Sequence, residues 1–143
     1  MNRLYLDACS LINLYATQKL LNIASELDLN FYVTPWVYQR ESLYVYERRD
    51  NTQGDKVPID LSEGIDNGVI IVDDALSTDE ELAMLIEFSQ KIDQGEAETI
   101  AAVISRGGSL VTDDGAAMKL LTKQAPNISI YTSVGMIKDW SES

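Results

Sequence analysis

Histidine is absent from the 143 residues, and cysteine occurs once, at Cys9. Without histidine there is no Ser-His-Asp or Cys-His catalysis, no imidazole-ligated zinc and no imidazole acid–base chemistry. A single cysteine permits neither an internal disulfide framework nor a zinc site built from several thiolates. No apolar run approaches the ~18 residues of a membrane span. The N-terminus lacks the basic, apolar, then small-residue succession of an export signal, so cytoplasmic residence is expected. Internal repeats and low-complexity tracts are also missing. Any catalysis must therefore rest on carboxylates, hydroxyls or amines, with or without a bound ion.

Cations are scarce. Eleven Lys and Arg face 23 Asp and Glu, a formal charge of −12. Non-specific nucleic-acid binders usually carry the opposite sign, because neutralising phosphates requires cations. The excess acid either serves solubility or gathers carboxylates that hold divalent cations, and position along the chain has to decide. Hydrophobic residues make up 45% and charged residues 24%, the composition of an ordinary globular domain with a sizeable core. One domain over residues 1–143 is expected.

Short apolar runs alternate with longer amphipathic ones. Leu4-Tyr5-Leu6, Phe31-Tyr32-Val33, Val69 to Val72, Leu110-Val111-Thr112 and Ile128 to Tyr131 read as strands. Helices are expected from Ser10 to Leu27 with a break near Thr17, from Ser77/Thr78 to Lys91, from Gln94 to Gly107-Gly108, and from Gly115 to Lys123. A short last helix contains Trp140. Thr34 as N-cap and Pro35 at the first helical position open a further helix after the second strand. Asp50 to Lys56 is polar and reads as a loop. Strands separated by helices predict an α/β domain with a central, mostly parallel β-sheet flanked by helices on both faces.

Ligand sites in such sheets lie beyond the carboxyl ends of the strands. Asp7 ends one strand, and Asp113-Asp114 end another. Each has a structural reading, since a residue after a strand also serves as a helix cap. Glu41 falls at 100° per residue on the same side as Val37, Tyr38, Tyr44 and Val45. A carboxylate there needs a basic partner, a hydrogen-bonded site or an ion. Asp93 and Glu96 fit a capping box. Glu96 also flanks the face of Ile100, Val103 and Ile104, whereas Glu98, about 200° away, is expected to face solvent.

Four separated segments thus deliver carboxylates to strand ends or helix faces. Converging without a cation they repel, and some must keep a proton. Oxygen-only ligation suits Mg2+ or Mn2+, and such a site activates water for attack on a phosphodiester. Other carboxylate-based α/β classes fit less well. A haloacid-dehalogenase-type phosphatase requires Asp where Cys9 stands. A receiver domain could use Asp73-Asp74, but it requires a lysine that is not found close after Tyr131.

The segment Leu4-Tyr5-Leu6-Asp7-Ala8-Cys9-Ser10-Leu11-Ile12-Asn13-Leu14 resembles the opening strand and helix of PIN-domain ribonucleases. Gly95-Glu96-Ala97-Glu98-Thr99-Ile100-Ala101-Ala102 is similar to their third acidic segment and Leu110-Val111-Thr112-Asp113-Asp114 to their fourth. Glu41 matches the place of the second acid. The resemblance implies a single PIN-like domain with Asp7, Glu41, Glu96 and either Asp113 or Asp114 around Mg2+ or Mn2+. It implies hydrolysis of RNA, with RNA as substrate, and many members are toxins neutralised by a cognate antitoxin. Homodimers are a family habit. Two departures stand out: Cys9 replaces a frequent Ser or Thr, and Glu96 replaces a frequent Asp. They leave a second expectation, a catalytically impaired PIN-like binding or scaffold module that acts through a protein partner. Arg40, Arg48 and Arg49 could meet phosphates or simply complement a helix end. Tyr38, Tyr44 and Tyr46 could stack on bases, although core packing accounts for Tyr44 equally well, and Trp36 and Trp140 are read as core or interface residues.

Overall fold

The computed structural model describes residues 3–40, 44–49 and 52–142, with 40, 44–49 and 52–57 described at the backbone. Five strands form one all-parallel sheet: β1 (Arg3–Leu6), β2 (Asn30–Val33), β5 (Ile70–Val72), β6 (Ser109–Val111) and β7 (Ile130–Tyr131). Their spatial order is β5-β2-β1-β6-β7. The chain runs outward from β1 through β2 to β5, then crosses back to β6 on the other side. The strand order therefore reverses between β1 and β6, and the crevice beyond their carboxyl ends is where such sheets bind ligands. Leu6 pairs with Val111 in that register, so Asp7 and Thr112 emerge side by side.

Helices cover both faces, as expected. Alternation along β1 sends Leu4 and Leu6 one way and Tyr5 the other. The first pair joins Leu11, Leu14, Ile23, Phe31 and Met136 beneath α1 (Ala8–Ala16), α2 (Leu20–Glu26) and α7 (Ser133–Glu142). Tyr5 joins Phe88, Ile100, Val103, Leu110 and Leu121 beneath α4 (Asp79–Phe88), α5 (Gln94–Arg106) and α6 (Gly115–Gln124). Each fully buried large side chain contributes roughly 1.5–3 kcal/mol. The expected break near Thr17 separates α1 from α2, where Gln18 takes φ 60. Gly107, at φ 83, ends α5. At Gly108, φ 122, a Cβ would stand 2.6 Å from the Arg3 carbonyl oxygen, so only glycine permits this tight entry into β6.

The segment after β2 differs from the expectation. Pro35 opens a short π-helical turn over Trp36–Arg40, and no long helix follows. Tyr44–Arg49 is instead strand β3, paired antiparallel with β4, Thr52–Pro58. Most of the expected loop over 50–56 therefore belongs to a hairpin, and Tyr44 and Val45 do not share a helix with Val37. Aromatic and β-branched residues at Tyr44, Val45 and Tyr46 favour extended backbone, and the Asp50-Asn51 pair between the strands is of turn-forming type. Glu41 lies outside the described residues. A short α3 (Ser62–Asp66) precedes β5. Among the described residues no helix is long and apolar enough to cross a membrane.

Candidate acidic site at the sheet switch point

Asp7 is buried at the end of the central strand. It caps α1: Oδ1 accepts the Ser10 N–H at 2.8 Å. Oδ2 accepts the Thr112 hydroxyl from the neighbouring strand end, and Thr112 Oγ1 in turn accepts the Asp114 N–H at 3.1 Å. The Ser10 hydroxyl is fully buried and makes no hydrogen bond of normal geometry, although it lies near enough to favour the Asp7 charge. Burial pushes the Asp7 carboxyl up, the Thr112 and Ser10 donors oppose this, and the charge of Asp113 adds to the rise.

The two acids after β6 divide the work that the sequence left open. Asp113 accepts the Ser133 N–H at 2.8 Å and the Ser133 hydroxyl, and the Asn13 side-chain amide at 2.8 Å. It thereby ties the start of α7 to α1. Burial alone would raise its pKa, but these donors hold it below the ordinary carboxylate range. Asp114 caps α6, accepting the Ala116 N–H at 3.3 Å, and its carboxyl also hydrogen-bonds Glu96. Asp114 is therefore the acid that faces the helix-borne carboxylate.

Glu96 sits in the first turn of α5, half-buried. The expected capping box does not form, because Asp93 makes no side-chain cap bond. Glu96 turns to Asp114 instead. Burial, then the hydrogen bond to Asp114 and its charge, then the charges of Asp7 and Asp93 push its pKa up to about 8. Two neighbouring carboxyls resist joint ionisation, so in the absence of a cation the rise falls on Glu96, which favours its protonated form. Glu98 is the further correction: it is buried, not solvent-facing. The helical-wheel argument assumes one wet face, yet Gly95 and every residue from Ala97 to Val103 on α5 are buried.

Of the expected acids, Asp7, Glu96, Asp113 and Asp114 therefore cluster around the β1–β6 crevice, while Glu41 falls outside the described residues. Among the described residues, no group of three or more His, Cys, Asp or Glu side chains is placed so that it could hold a metal ion. Thr112, Asn13 and Ser133 were not read from the sequence as partners of the acids. Only Thr112 had a signal, as a hydroxyl immediately before two strand-end acids. Cys9 is exposed, and Asp7 draws its hydrogen bonds from Ser10 and Thr112. Trp140 donates to Glu26 and packs at the edge of the α1–α2–α7 core. The side chains of Arg40, Tyr44, Tyr46, Arg48 and Arg49 lie outside the description, and Tyr38 is exposed.

A second polar cluster is structural. Arg106 reaches Asp73 and Glu81, each at 2.8 Å, and the carbonyl oxygens of Asp74 and Ala75 at 2.6 and 3.0 Å. Asp73 also accepts the Tyr5 hydroxyl at 2.5 Å. These bonds clasp the segment between β5 and α4 onto the end of α5, and they commit Asp73 to a pairing unlike that of a phosphoacceptor. The chain matches no protein-family model and no curated protein sequence.

Proposed function

We propose that this chain is a divalent-metal-dependent ribonuclease, with Asp7, Glu96 and Asp114 holding Mg2+ or Mn2+ and Glu41 joining them. The observation that carries this reading is the Glu96–Asp114 carboxyl pair, faced by Asp7, at the sheet's switch point. The donor chemistry fits a hard cation: all oxygens, without thiolate or imidazole. A bound ion of this kind supplies charge neutralisation and a water of lowered pKa beside a phosphodiester. Thr112 and Ser10 orient Asp7, and Glu96 gives up its proton as the carboxylates take a cation. Asp113 acts as a brace for α7 and α1. The resemblance of the acidic segments to PIN-domain ribonucleases supports RNA as substrate, a toxin role with a cognate antitoxin and homodimer formation; the expectation of cytoplasmic residence rests on the N-terminal sequence pattern alone.

The deciding experiment incubates the purified full chain with a mixed set of RNAs in Mn2+, Mg2+ or EDTA. Cleavage that requires the ion, and that falls at least about a hundredfold in Asp7→Asn and Glu96→Gln, is the expected result. Intact RNA in every condition, or an Asp7→Asn variant that cleaves as well as the natural chain, overturns the reading in favour of a binding module.

A further inference from the structure

Aromatic residues are mostly withdrawn from solvent. Of those whose side chains are described, only Tyr38 and Tyr131 are exposed, at 45% and 43%. Topology brings these two to the same end of the molecule. Tyr5 pairs with Tyr32, so Thr34, two residues on, stands beside Asp7 at the neighbouring strand end. Thr34 is buried; its hydroxyl accepts the Val37 N–H at 3.3 Å and its carbonyl accepts the Tyr38 N–H at 3.0 Å. The turn thus closes directly over the end of β2, with Val37 in the core and Tyr38 outside it. This turn also packs against α5, whose first turn carries Glu96. Tyr131 is the last residue of β7 and pairs with Val111, immediately before Thr112. In the order β2-β1-β6-β7, one exposed ring therefore lies beyond the strand on each side of the acids. Three strand spacings, roughly 14–15 Å, separate the two flanking strand ends.

Charge restricts how a chain of net charge −12 holds a polyanion. Phosphate neutralisation, the usual source of affinity, requires cations in excess. The carboxylates between the two rings repel a phosphate backbone everywhere except at a bound cation. Stacking on an aromatic ring escapes that penalty, because every base presents a π-face and the contact needs no charge. A strand laid across β2, β1, β6 and β7 brings one phosphodiester to the acids and its flanking bases to the rings. We infer that Tyr38 and Tyr131 are stacking platforms for the bases on either side of the phosphodiester held at the crevice. A base is free to lie on such a ring only when it is unpaired, so the two residues select single strands over duplex. The inference rests on the ribonuclease reading and adds to it two residues that determine which RNA reaches the acids.

The probe is a labelled single-stranded RNA of ten nucleotides and mixed sequence, titrated with the full chain by fluorescence anisotropy. Ca2+ replaces Mn2+, since it takes the same oxygen ligands. The same RNA as a duplex, and an abasic strand of equal length, serve as comparisons. The single strand binds, and the other two bind about tenfold more weakly or worse. Tyr38→Ala and Tyr131→Ala each weaken single-strand binding by about tenfold, and their exposed positions leave the melting temperature unchanged. Tyr38→Phe and Tyr131→Phe keep the ring and restore the affinity, and neither Ala variant alters binding of the abasic strand. Equal binding of duplex and single strand, or full affinity in either Ala variant, overturns the inference and leaves the metal-dependent cleavage reading standing. A natural chain that neither binds nor cleaves any of these RNAs overturns both. A dimer by sedimentation that Tyr131→Ala dissociates assigns that ring to a second copy and overturns the inference.

Discussion

At the scale of single residues, Glu96 offers the sharpest test because its environment reverses the usual carboxylate preference. Its pKa rises from an ordinary 4.5 to about 8 through burial and the neighbouring Asp114. A carboxyl raised in this way favours the folded state only while protonated. As pH climbs from 4.5 to 8, the unfolded chain loses this proton freely and the folded chain does not, so the ion-free protein loses stability. Glu96→Gln keeps the hydrogen-bonding shape and removes the titration. In EDTA the variant is expected to match the natural chain near pH 4.5 and to exceed it above pH 8. The gain is of the order of 1 kcal/mol once solvent screening of this half-exposed group is allowed for. Urea unfolding across that range measures it, and a difference that does not vary with pH would remove the account of a raised Glu96 carboxyl. The neighbouring acids show why residue type alone was insufficient in the sequence. Asp113 and Asp114 are adjacent and identical, yet one faces Ser133 and Asn13 and the other Glu96. Only the register of β6 against β1 and the approach of α7 distinguish them.

At the scale of elements, the clasp around Arg106 governs whether α4 stays on α5. Glu81 is lowered from 4.5 to about 2 by the Arg106 guanidinium, with burial opposing and the Ser105 hydroxyl and the Ser77 and Thr78 N–H groups assisting. A lowered carboxyl stabilises the fold above its unfolded pKa, and that contribution is lost as pH falls from 4.5 toward 2. Glu81→Gln leaves the Arg106 charge short of its partner and is expected to cost about 3 kcal/mol at pH 7. The cost should shrink progressively below pH 4.5, as thermal unfolding at pH 7, 4 and 2.5 would report. An equal cost at all three values would assign the loss to packing. Much of this level was legible beforehand. The strand ends at Asp7 and Asp113, the break near Thr17 and the stop at Gly107-Gly108 each follow from local chemistry that tertiary packing reinforces. The β3–β4 hairpin was not, because Val37, Tyr38, Tyr44 and Val45 fit a helical period while Tyr44, Val45 and Tyr46 fit a strand equally well. Short apolar runs of that kind satisfy both periodicities. Glu98 escaped for a different reason: α5 packs against α4 and α6 as well as against the sheet, and no wheel drawn on one helix reveals its neighbours.

For the whole molecule, the charge of −12 makes diffuse screening the main rival to a specific cation site. Any salt relieves self-repulsion among surface acids, whereas a site at the β1–β6 crevice responds to a divalent ion at concentrations too low to alter screening. The two effects separate in a background of about 0.15 M NaCl, where the Debye length is already near 8 Å. A ligand bound only by the folded state stabilises it by about 2.7 kcal/mol at a hundred times its Kd, which for a chain of 143 residues is a rise in Tm of roughly 6–11 °C. Mn2+ is expected to produce that rise in the natural chain. Asp7→Asn removes a clustered charge, so its ion-free Tm starts higher and its response to Mn2+ is largely lost. Reversing charges far from the crevice, as in Glu80→Lys/Glu87→Lys, leaves the Mn2+ response intact. If that surface variant and Asp7→Asn lose the response to the same extent, the ion is acting on the acidic surface as a whole. If only Asp7→Asn loses it, the carboxylates gathered where the strand order reverses bind the cation as a site, and the remaining acids serve the surface.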